Sequence, residues 1–243
     1  MTTHSCFSPQ TRTDYRLLVR APDGATEPGP WPVVVILDGD DQFKFALAEY
    51  EALRSARAIR PLVLAGVGYG ASYRDPANRR GRDYTPTRTA DEPESGAADA
   101  FLAFLSDTLW PEMQQRYPVD ANVRGIAGHS VGALFVLHAL FQSRPFFTHH
   151  LATAPSIWWD NRAILCHAQR LRRERAQLRA KLFLCIGDED SASMRGDLEM
   201  LEDQLAAEPF GELEIASVRF PQRTHYDVLP DAYRAGLRAL FGE

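Results

Sequence analysis

The sequence is poor in cysteine, in long apolar runs and in clustered positive charge. It has three cysteines, an odd number, and Cys185 lies in an apolar run suited to a buried side chain, so we expect free thiols in a reducing compartment. No apolar stretch approaches the roughly 18 residues that a membrane-spanning helix needs. The net charge is −5 and the basic residues are dispersed. We therefore expect neither a membrane nor nucleic acid as a partner.

The amino terminus also lacks targeting features. Residues 1–10 contain neither the basic segment nor the apolar segment of a secretory signal, which predicts a cytoplasmic protein. A length of 243 residues favours a single domain over residues 1–243, with residues 1–12 as a loose amino-terminal segment. No spacing of histidines and carboxylates resembles a metal-binding signature, so no metal and no other cofactor is expected.

Apolar runs of strand length alternate with segments of helical spacing along the chain. Strands are predicted over residues 32–37, 62–67, 123–127, 151–154, 181–186 and 213–220, with an antiparallel edge strand near 15–19. Helices are predicted over residues 42–58, 97–109, 133–141, 162–178, 197–206 and 232–241. Most strand runs are continuously apolar, as in buried parallel strands. This pattern predicts an α/β fold, with a mostly parallel central sheet and helices on both faces.

The motif Gly128-His129-Ser130-Val131-Gly132 matches the G-x-S-x-G pattern of a serine nucleophile. It follows the apolar run that ends at Ala127 and precedes a helix-like segment, which is the context of a nucleophile elbow. The glycines lack a Cβ, so strand and helix can approach each other closely. The alternative is a glycine-rich connection with an incidental serine. We predict Ser130 as the nucleophile, with His129 pointing elsewhere.

A serine nucleophile needs a base and an acid. His225 lies in a polar loop between the last predicted strand and the final helix, where the chain order serine, acid, histidine places the base. Asp190 ends the segment Gly187-Asp188-Glu189-Asp190 after the strand over 181–186 and is the predicted acid. Asp188 and Glu189 remain alternatives, and these acids could also only solvate the loop or cap the next helix.

Two backbone amides should stabilise the oxyanion of the tetrahedral intermediate. One is predicted at Val131, and the other at Asp40 or Gly39 in the loop after the strand over 32–37. On the substrate side, Arg80 is a candidate for holding an anionic group, as is Arg82, the alternative being a solvated loop or a pair with Asp83. Trp158 and Trp159 are candidates for lining a pocket, the alternative being a split between core and surface.

The sequence resembles the Putative esterase family of α/β hydrolases, in the branch of enterobactin and salmochelin esterases. Its matching segments are Leu37-Asp38-Gly39-Asp40, Arg79-Arg80-Gly81-Arg82-Asp83-Tyr84-Thr85-Pro86, the Ser130 motif and Ala154-Pro155-Ser156-Ile157-Trp158-Trp159. The resemblance implies the α/β-hydrolase fold and ester hydrolysis by Ser130 and His225, with an acid that this branch does not fix firmly. We expect a serine carboxylic-ester hydrolase that forms an acyl-enzyme with a small siderophore-like, aryl or acyl ester. A non-catalytic binding module and a thioesterase are the alternatives.

Overall fold

An eight-stranded sheet organises the chain, and the computed structural model describes residues 1–242. The strand order is β1-β2-β4-β3-β5-β6-β7-β8. The strands are β1 Thr2–Ser8, β2 Thr13–Arg20, β3 Trp31–Ile36, β4 Val63–Gly68, β5 Val119–His129, β6 His149–Thr153, β7 Gln177–Gly187 and β8 Gly211–Phe220. Strands β3 to β8 pair in parallel, while β2 pairs antiparallel with both β1 and β4. The predicted mostly parallel sheet is confirmed.

The expectation of a loose amino terminus is wrong. Thr2–Ser8 forms β1, which pairs with β2 from Thr2 opposite Val19 to Ser8 opposite Thr13. Cys6 and Ser8 are buried, whereas most of the other residues of β1 are exposed. This strand is polar because one face meets solvent, so its composition resembles that of a loose segment. The segment near 15–19 is antiparallel as predicted, but β1 covers its outer side, so it is not the edge.

Helices cover both faces of the sheet, as predicted. They are α1 Gly39–Ser55, α2 Arg80–Asp83, α3 Ala98–Phe104, α4 Trp110–Arg116, α5 Val131–Leu140, α6 Trp159–Glu174, α7 Ala192–Ala207 and α8 Leu229–Phe241, with a π-helical turn at Leu105–Leu109 between α3 and α4. One apolar cluster joins the sheet to α3 through α7. A second cluster joins the other face to α1 and α8.

The helix predicted over 162–178 is too long at its carboxyl end. Helix α6 ends at Glu174, and β7 begins at Gln177. Leu171 and Leu178 are both buried and lie seven residues apart, a spacing that two helical turns also produce. Parallel pairing of β7 with β8 assigns Leu178 to the sheet, and local spacing carries no information about that partner.

The carboxyl ends of β3, β5, β6, β7 and β8 lie along one edge of the sheet, because these five strands are parallel neighbours. The segments that follow them contain Asp38, Ser130, Ser156, Asp190 and His225. Ligands of open α/β sheets bind at this edge. No helix in the described residues has both the length and the apolar character needed to cross a membrane. Over the same residues all three cysteines are free thiols, as expected.

Candidate active site

Ser130 occupies a strained turn between β5 and α5. Its φ of 59° and ψ of −120° lie in a region that non-glycine residues rarely adopt. A Cβ at Gly128 would lie 2.5 Å from the carbonyl carbon and oxygen of Gly132, so strand and helix can approach this closely only without one. The Ser130 amide donates to the Thr153 carbonyl oxygen at 3.0 Å. The turn is thus held by β6 as well as by its own glycines.

His225, which is partly exposed, and the buried Asp190 form a hydrogen-bonded pair. His225 Nδ1 lies 2.7 Å from Asp190 Oδ2, and Asp190 Oδ1 accepts a hydrogen bond from the Ser191 amide at 2.7 Å. An ionised carboxylate only accepts hydrogen bonds, so Nδ1 carries the proton in the neutral imidazole. Nε2 of His225 is then the unprotonated nitrogen and is available as a base.

Close contact between two loops brings this pair together. Gly187 ends β7, and a Cβ there would overlap the carbonyl oxygen of Arg223. The Glu189 amide donates to that same oxygen at 3.0 Å. The absence of a side chain at Gly187 therefore allows the loop after β7 to reach the loop that contains His225.

The three carboxylates of this loop have different surroundings. Asp190 is buried and faces His225. Asp188 is exposed, and its Oδ1 accepts from the Gln222 amide at 2.7 Å, which fastens the two loops to each other. Glu189 is exposed. Of the three, Asp190 is the carboxylate that contacts the histidine.

The expectation that His129 points elsewhere is wrong. Its ring centroid lies 4.4 Å from that of His225, and its Nε2 lies 2.8 Å from the His225 carbonyl oxygen. Burial lowers the pKa of His129 to about 3, so the ring is neutral and Nε2 donates its proton to the carbonyl. Sequence position could not reveal this contact, because the two residues are 96 positions apart.

Ser156 is a site residue that the sequence reasoning did not assign. Its Oγ lies 3.3 Å from Ser130 Oγ, and its amide donates to the Ser130 carbonyl oxygen at 3.1 Å. Across the described chain, Ser130 Oγ is within hydrogen-bonding distance of Ser156 and not of His225. Catalytic hydrogen bonds commonly tighten only when substrate binds. The one sequence signal that could have identified Ser156 is its position just beyond β6, the strand next to β5 in the sheet.

The segment after β3 turns sharply into α1. Asp38 has the left-handed φ of 51°, and α1 begins at Gly39. The Asp40 carboxylate accepts hydrogen bonds from the Tyr69 amide at 2.6 Å and the Gly70 amide at 2.9 Å, so this side chain is turned toward the end of β4. The amides of Gly39 and Asp40 belong to the first turn of α1, and that of Val131 to the first turn of α5. Such amides have no acceptor within their own helix.

Comparison with known proteins agrees with this arrangement. The sequence profile of the Putative esterase family matches residues 8–209. The chain belongs to this family. It is 34% identical over 152 residues to the siderophore triacetylfusarinine C esterase of Aspergillus fumigatus, covering 60% of this chain and 51% of that protein. The chain thus spans about half the length of that relative.

Two further relatives cover more of this family member. It is 27% identical over 245 residues to the ferri-bacillibactin esterase BesA of Bacillus subtilis, covering 92% of this chain and 83% of that protein. The crystal structure of the BES protein from Bacillus cereus is similar with a TM-score of 0.88 and 25% identity, covering 100% of this chain and 95% of that one. The α/β-hydrolase fold predicted from the sequence is confirmed.

In this esterase family member, Arg80 pairs with a buried aspartate. Its Nε and Nη2 donate to Asp38 Oδ1 and Oδ2 at 2.9 and 3.0 Å, and Nη2 also lies 3.3 Å from the His129 carbonyl oxygen. These two nitrogens of Arg80, which were expected to bind a substrate anion, donate to Asp38 instead, because a buried carboxylate needs a charged partner. Arg82 is paired as well, with Asp83 at 2.7 Å.

The adjacent tryptophans divide between core and surface. Trp159 is buried, and its Nε1 donates to Thr87 Oγ1 at 3.1 Å, whereas Trp158 is 48% exposed. A cleft of about 420 Å³ contains Ser130 and His225 in its lining, and neither tryptophan is part of that lining within residues 1–242. The rest of the lining is Asp41, Lys44, Phe45, Tyr73, Arg74, Arg80, His129, Tyr226 and Leu229.

The cleft lining contains the cations Lys44 and Arg74 and the carboxylate Asp41. Neither Lys44 nor Arg74 forms an ion pair with another described residue. Asp41 accepts hydrogen bonds from Ser72 Oγ at 2.7 Å and from the Tyr73 amide at 3.1 Å. Lys44 Nζ lies 5.0 Å from the Phe45 ring centroid. This lining combines π surfaces with free cations, a surface that suits anionic aromatic groups.

Proposed function

We propose that the protein is a serine carboxylic-ester hydrolase that acts on siderophore-like esters through an acyl-enzyme. The main support is the 2.7 Å contact between His225 Nδ1 and Asp190 Oδ2, in a cleft that also contains Ser130 at its strained turn. Family membership and siderophore esterases among its relatives support the same reaction and substrate class.

The reaction begins when Ser130 Oγ exchanges its hydrogen bond to Ser156 for one to His225 Nε2. As Oγ attacks the ester carbonyl carbon, His225 accepts its proton, and Asp190 orients and stabilises the imidazolium. The amides of Val131 and Asp40 donate hydrogen bonds to the oxyanion, and the positive end of the α5 dipole favours that charge. His225 then gives its proton to the leaving alkoxide, and the alcohol departs.

In the second half of the reaction, water attacks the acyl-enzyme, and His225 again acts first as a base and then as an acid. His225 removes a proton from water, whose oxygen attacks the carbonyl carbon of the acyl group bound to Ser130 Oγ. Collapse of the second tetrahedral intermediate breaks the bond to Ser130 Oγ, which regains a proton from His225. The acid product leaves from a cleft whose cations, Lys44 and Arg74, and aromatic residue Tyr226 suit an anionic aryl group.

The direct test of the nucleophile is labelling with a fluorophosphonate, which forms a covalent bond with an activated serine. The wild type should be labelled and Ser130→Ala should not, while Ser143→Ala, which changes an exposed serine outside the cleft lining, should be labelled like the wild type. Equal labelling of Ser130→Ala and wild type, or none of the wild type, contradicts the proposal.

The substrate class needs a separate measurement. We would compare kcat/KM for a short acyl ester, a neutral aryl ester, a thioester and a catechol trilactone with and without bound Fe(III). The proposal expects the highest kcat/KM for a catecholate ester. Hydrolysis of only the short acyl ester or only the thioester would leave the serine chemistry in place and remove the siderophore assignment.

A further inference from the structure

Arg80 and Asp38 connect the two chain segments that contain the proposed oxyanion amides. Asp38 directly precedes Gly39 and Asp40 at the start of α1, and it is fully buried. Arg80 grips it with two hydrogen bonds of 2.9 and 3.0 Å. The same guanidinium lies 3.3 Å from the carbonyl oxygen of His129, the residue before Ser130. One side chain therefore joins the turn after β3 to the nucleophile turn.

Other contacts hold this pair on all sides. The Asp38 amide donates to the hydroxyl of Tyr84 at 3.1 Å, and Gln42 Nε2 donates to Asp38 Oδ2 at 3.3 Å. The Arg80 guanidinium carbon lies 4.8 Å from the ring centroid of Tyr73 and 5.8 Å from that of Tyr84. A guanidinium held by bidentate pairing and two aromatic rings has little freedom to move. The relative position of the two turns is fixed through this pair.

Arg80 also neutralises the charge of Asp38, in addition to joining the two turns. A Cβ at Gly132 would lie 3.2 Å from Asp38 Oδ2, so this carboxylate stands beside the first turn of α5, at the residue that follows Val131. Burial raises the pKa of Asp38, and the adjacent Arg80 cation acts in the opposite direction. An anion at this place without a partner would oppose the negative charge that develops on the ester oxygen.

We propose that Arg80 is a positioning residue, which aligns the Asp40 and Val131 amides and neutralises Asp38 beside them, rather than a residue that binds the substrate anion. The inference rests on the proposed hydrolase function. It predicts that losing Arg80 impairs the turnover of every ester, including neutral ones, because the damage lies in stabilisation of the oxyanion. A substrate-binding arginine would instead affect KM, and only for anionic esters.

The test uses a small neutral ester, p-nitrophenyl acetate, with purified full-length variants whose folding is checked by circular dichroism and thermal unfolding. Arg80→Met should lower kcat on the order of 10²-fold with KM changed less than about threefold, as expected for misplaced donors. Arg80→Lys, which keeps the charge but loses the two-pronged grip, should fall between Arg80→Met and wild type. Arg82→Met is the matched control, since Arg82 lies on the same short helix and pairs with another buried aspartate, Asp83.

A charge-compensation variant separates neutralisation from simple packing. Asp38→Asn combined with Arg80→Met removes both charges, so kcat should recover about tenfold relative to Arg80→Met alone. An aryl boronic acid, whose adduct with the serine hydroxyl is a tetrahedral anion, should bind Arg80→Met more weakly by about the factor lost in kcat/KM. These readouts also apply to Arg80→Lys if Arg80→Met does not fold.

Three outcomes would overturn the inference. They are an unchanged kcat for Arg80→Met on the neutral ester, a loss confined to KM for anionic esters, and an equal loss of kcat in Arg82→Met. In each of them the wild type remains active and labelled, so the proposed hydrolase function stands. A wild type that neither hydrolyses esters nor reacts with a fluorophosphonate removes the function, and the role of Arg80 falls with it.

Discussion

His129 donates a hydrogen bond from Nε2 to the backbone carbonyl of His225 at 2.8 Å, while the two imidazole rings lie 4.4 Å apart. The residue before the proposed nucleophile thus supports the loop of the proposed base. Since the ring of His129 stays neutral, this contact fixes the loop without adding a charge next to His225.

Replacement of His129 should make the loop that contains His225, the proposed base, more mobile. We expect His129→Ala to lower kcat by about tenfold, because His225 loses a backbone anchor and must be ordered during each turnover. His129→Gln, whose amide nitrogen can still donate to the His225 carbonyl, should retain most of the activity. Steady-state kinetics on a neutral ester measures both, and equal activities of the two variants would argue against this role.

The choice of acid can be decided by three neutral substitutions. Asp190→Asn should lower kcat by roughly 10²- to 10⁴-fold, since an amide does not stabilise the imidazolium and can reverse the tautomer of His225. Asp188→Asn and Glu189→Gln should each stay within about threefold of wild type, because those side chains do not contact His225. A larger effect at Asp188 than at Asp190 would assign the acid differently.

The unpaired cations should favour anionic substrates. Lys44→Gln and Arg74→Gln are each expected to raise KM for an anionic aryl ester by about 3- to 10-fold and to leave a neutral aryl ester nearly unchanged. The difference should shrink as salt concentration increases, because both side chains are exposed. Identical KM values for the two esters in all variants would show that charge does not contribute to recognition.

Buried histidines should make the folded state sensitive to acid. Burial lowers the pKa of His150 from 6.5 to about 3, and its Nε2 has no hydrogen-bond partner within residues 1–242. The unfolded chain therefore binds a proton that the folded chain does not. Above pH 6.5, His150 therefore leaves the free energy of unfolding unchanged. Below pH 6.5, protonation of His150 in the unfolded chain lowers this free energy by about 1.4 kcal/mol per pH unit, until the pH reaches the folded-state pKa.

Urea unfolding at pH 7.5 and pH 5.0 measures this dependence. Wild type should lose more unfolding free energy between the two pH values than His150→Leu, by about 2 kcal/mol. Carboxylates contribute equally to both proteins, so the comparison isolates His150. The same pH dependence in the variant and the wild type would mean that His150 is already protonated in the folded protein or does not titrate in the unfolded one.

Local sequence signals were sufficient to predict where the parallel strands end and which site residues follow those ends. Apolar runs of strand length mark β3, β5, β6, β7 and β8, and Ser130, Asp190 and His225 were selected because each follows such a run. Parallel neighbours end at one edge of a sheet, so a correct order of strands and helices already implies that these residues lie near one another. This part of the architecture depends on patterns within a few residues, and a single sequence contains them.

Only the tertiary structure decided which partner each side chain contacts. Three carboxylates follow β7 within three positions, and it is the close approach of Gly187 to Arg223 that turns Asp190 toward His225. Arg80 pairs with Asp38 from 42 residues away, although Asp83 is the nearer aspartate in the sequence. Contacts of this kind depend on burial and on loops that meet after folding, and neither residue type nor periodicity encodes them.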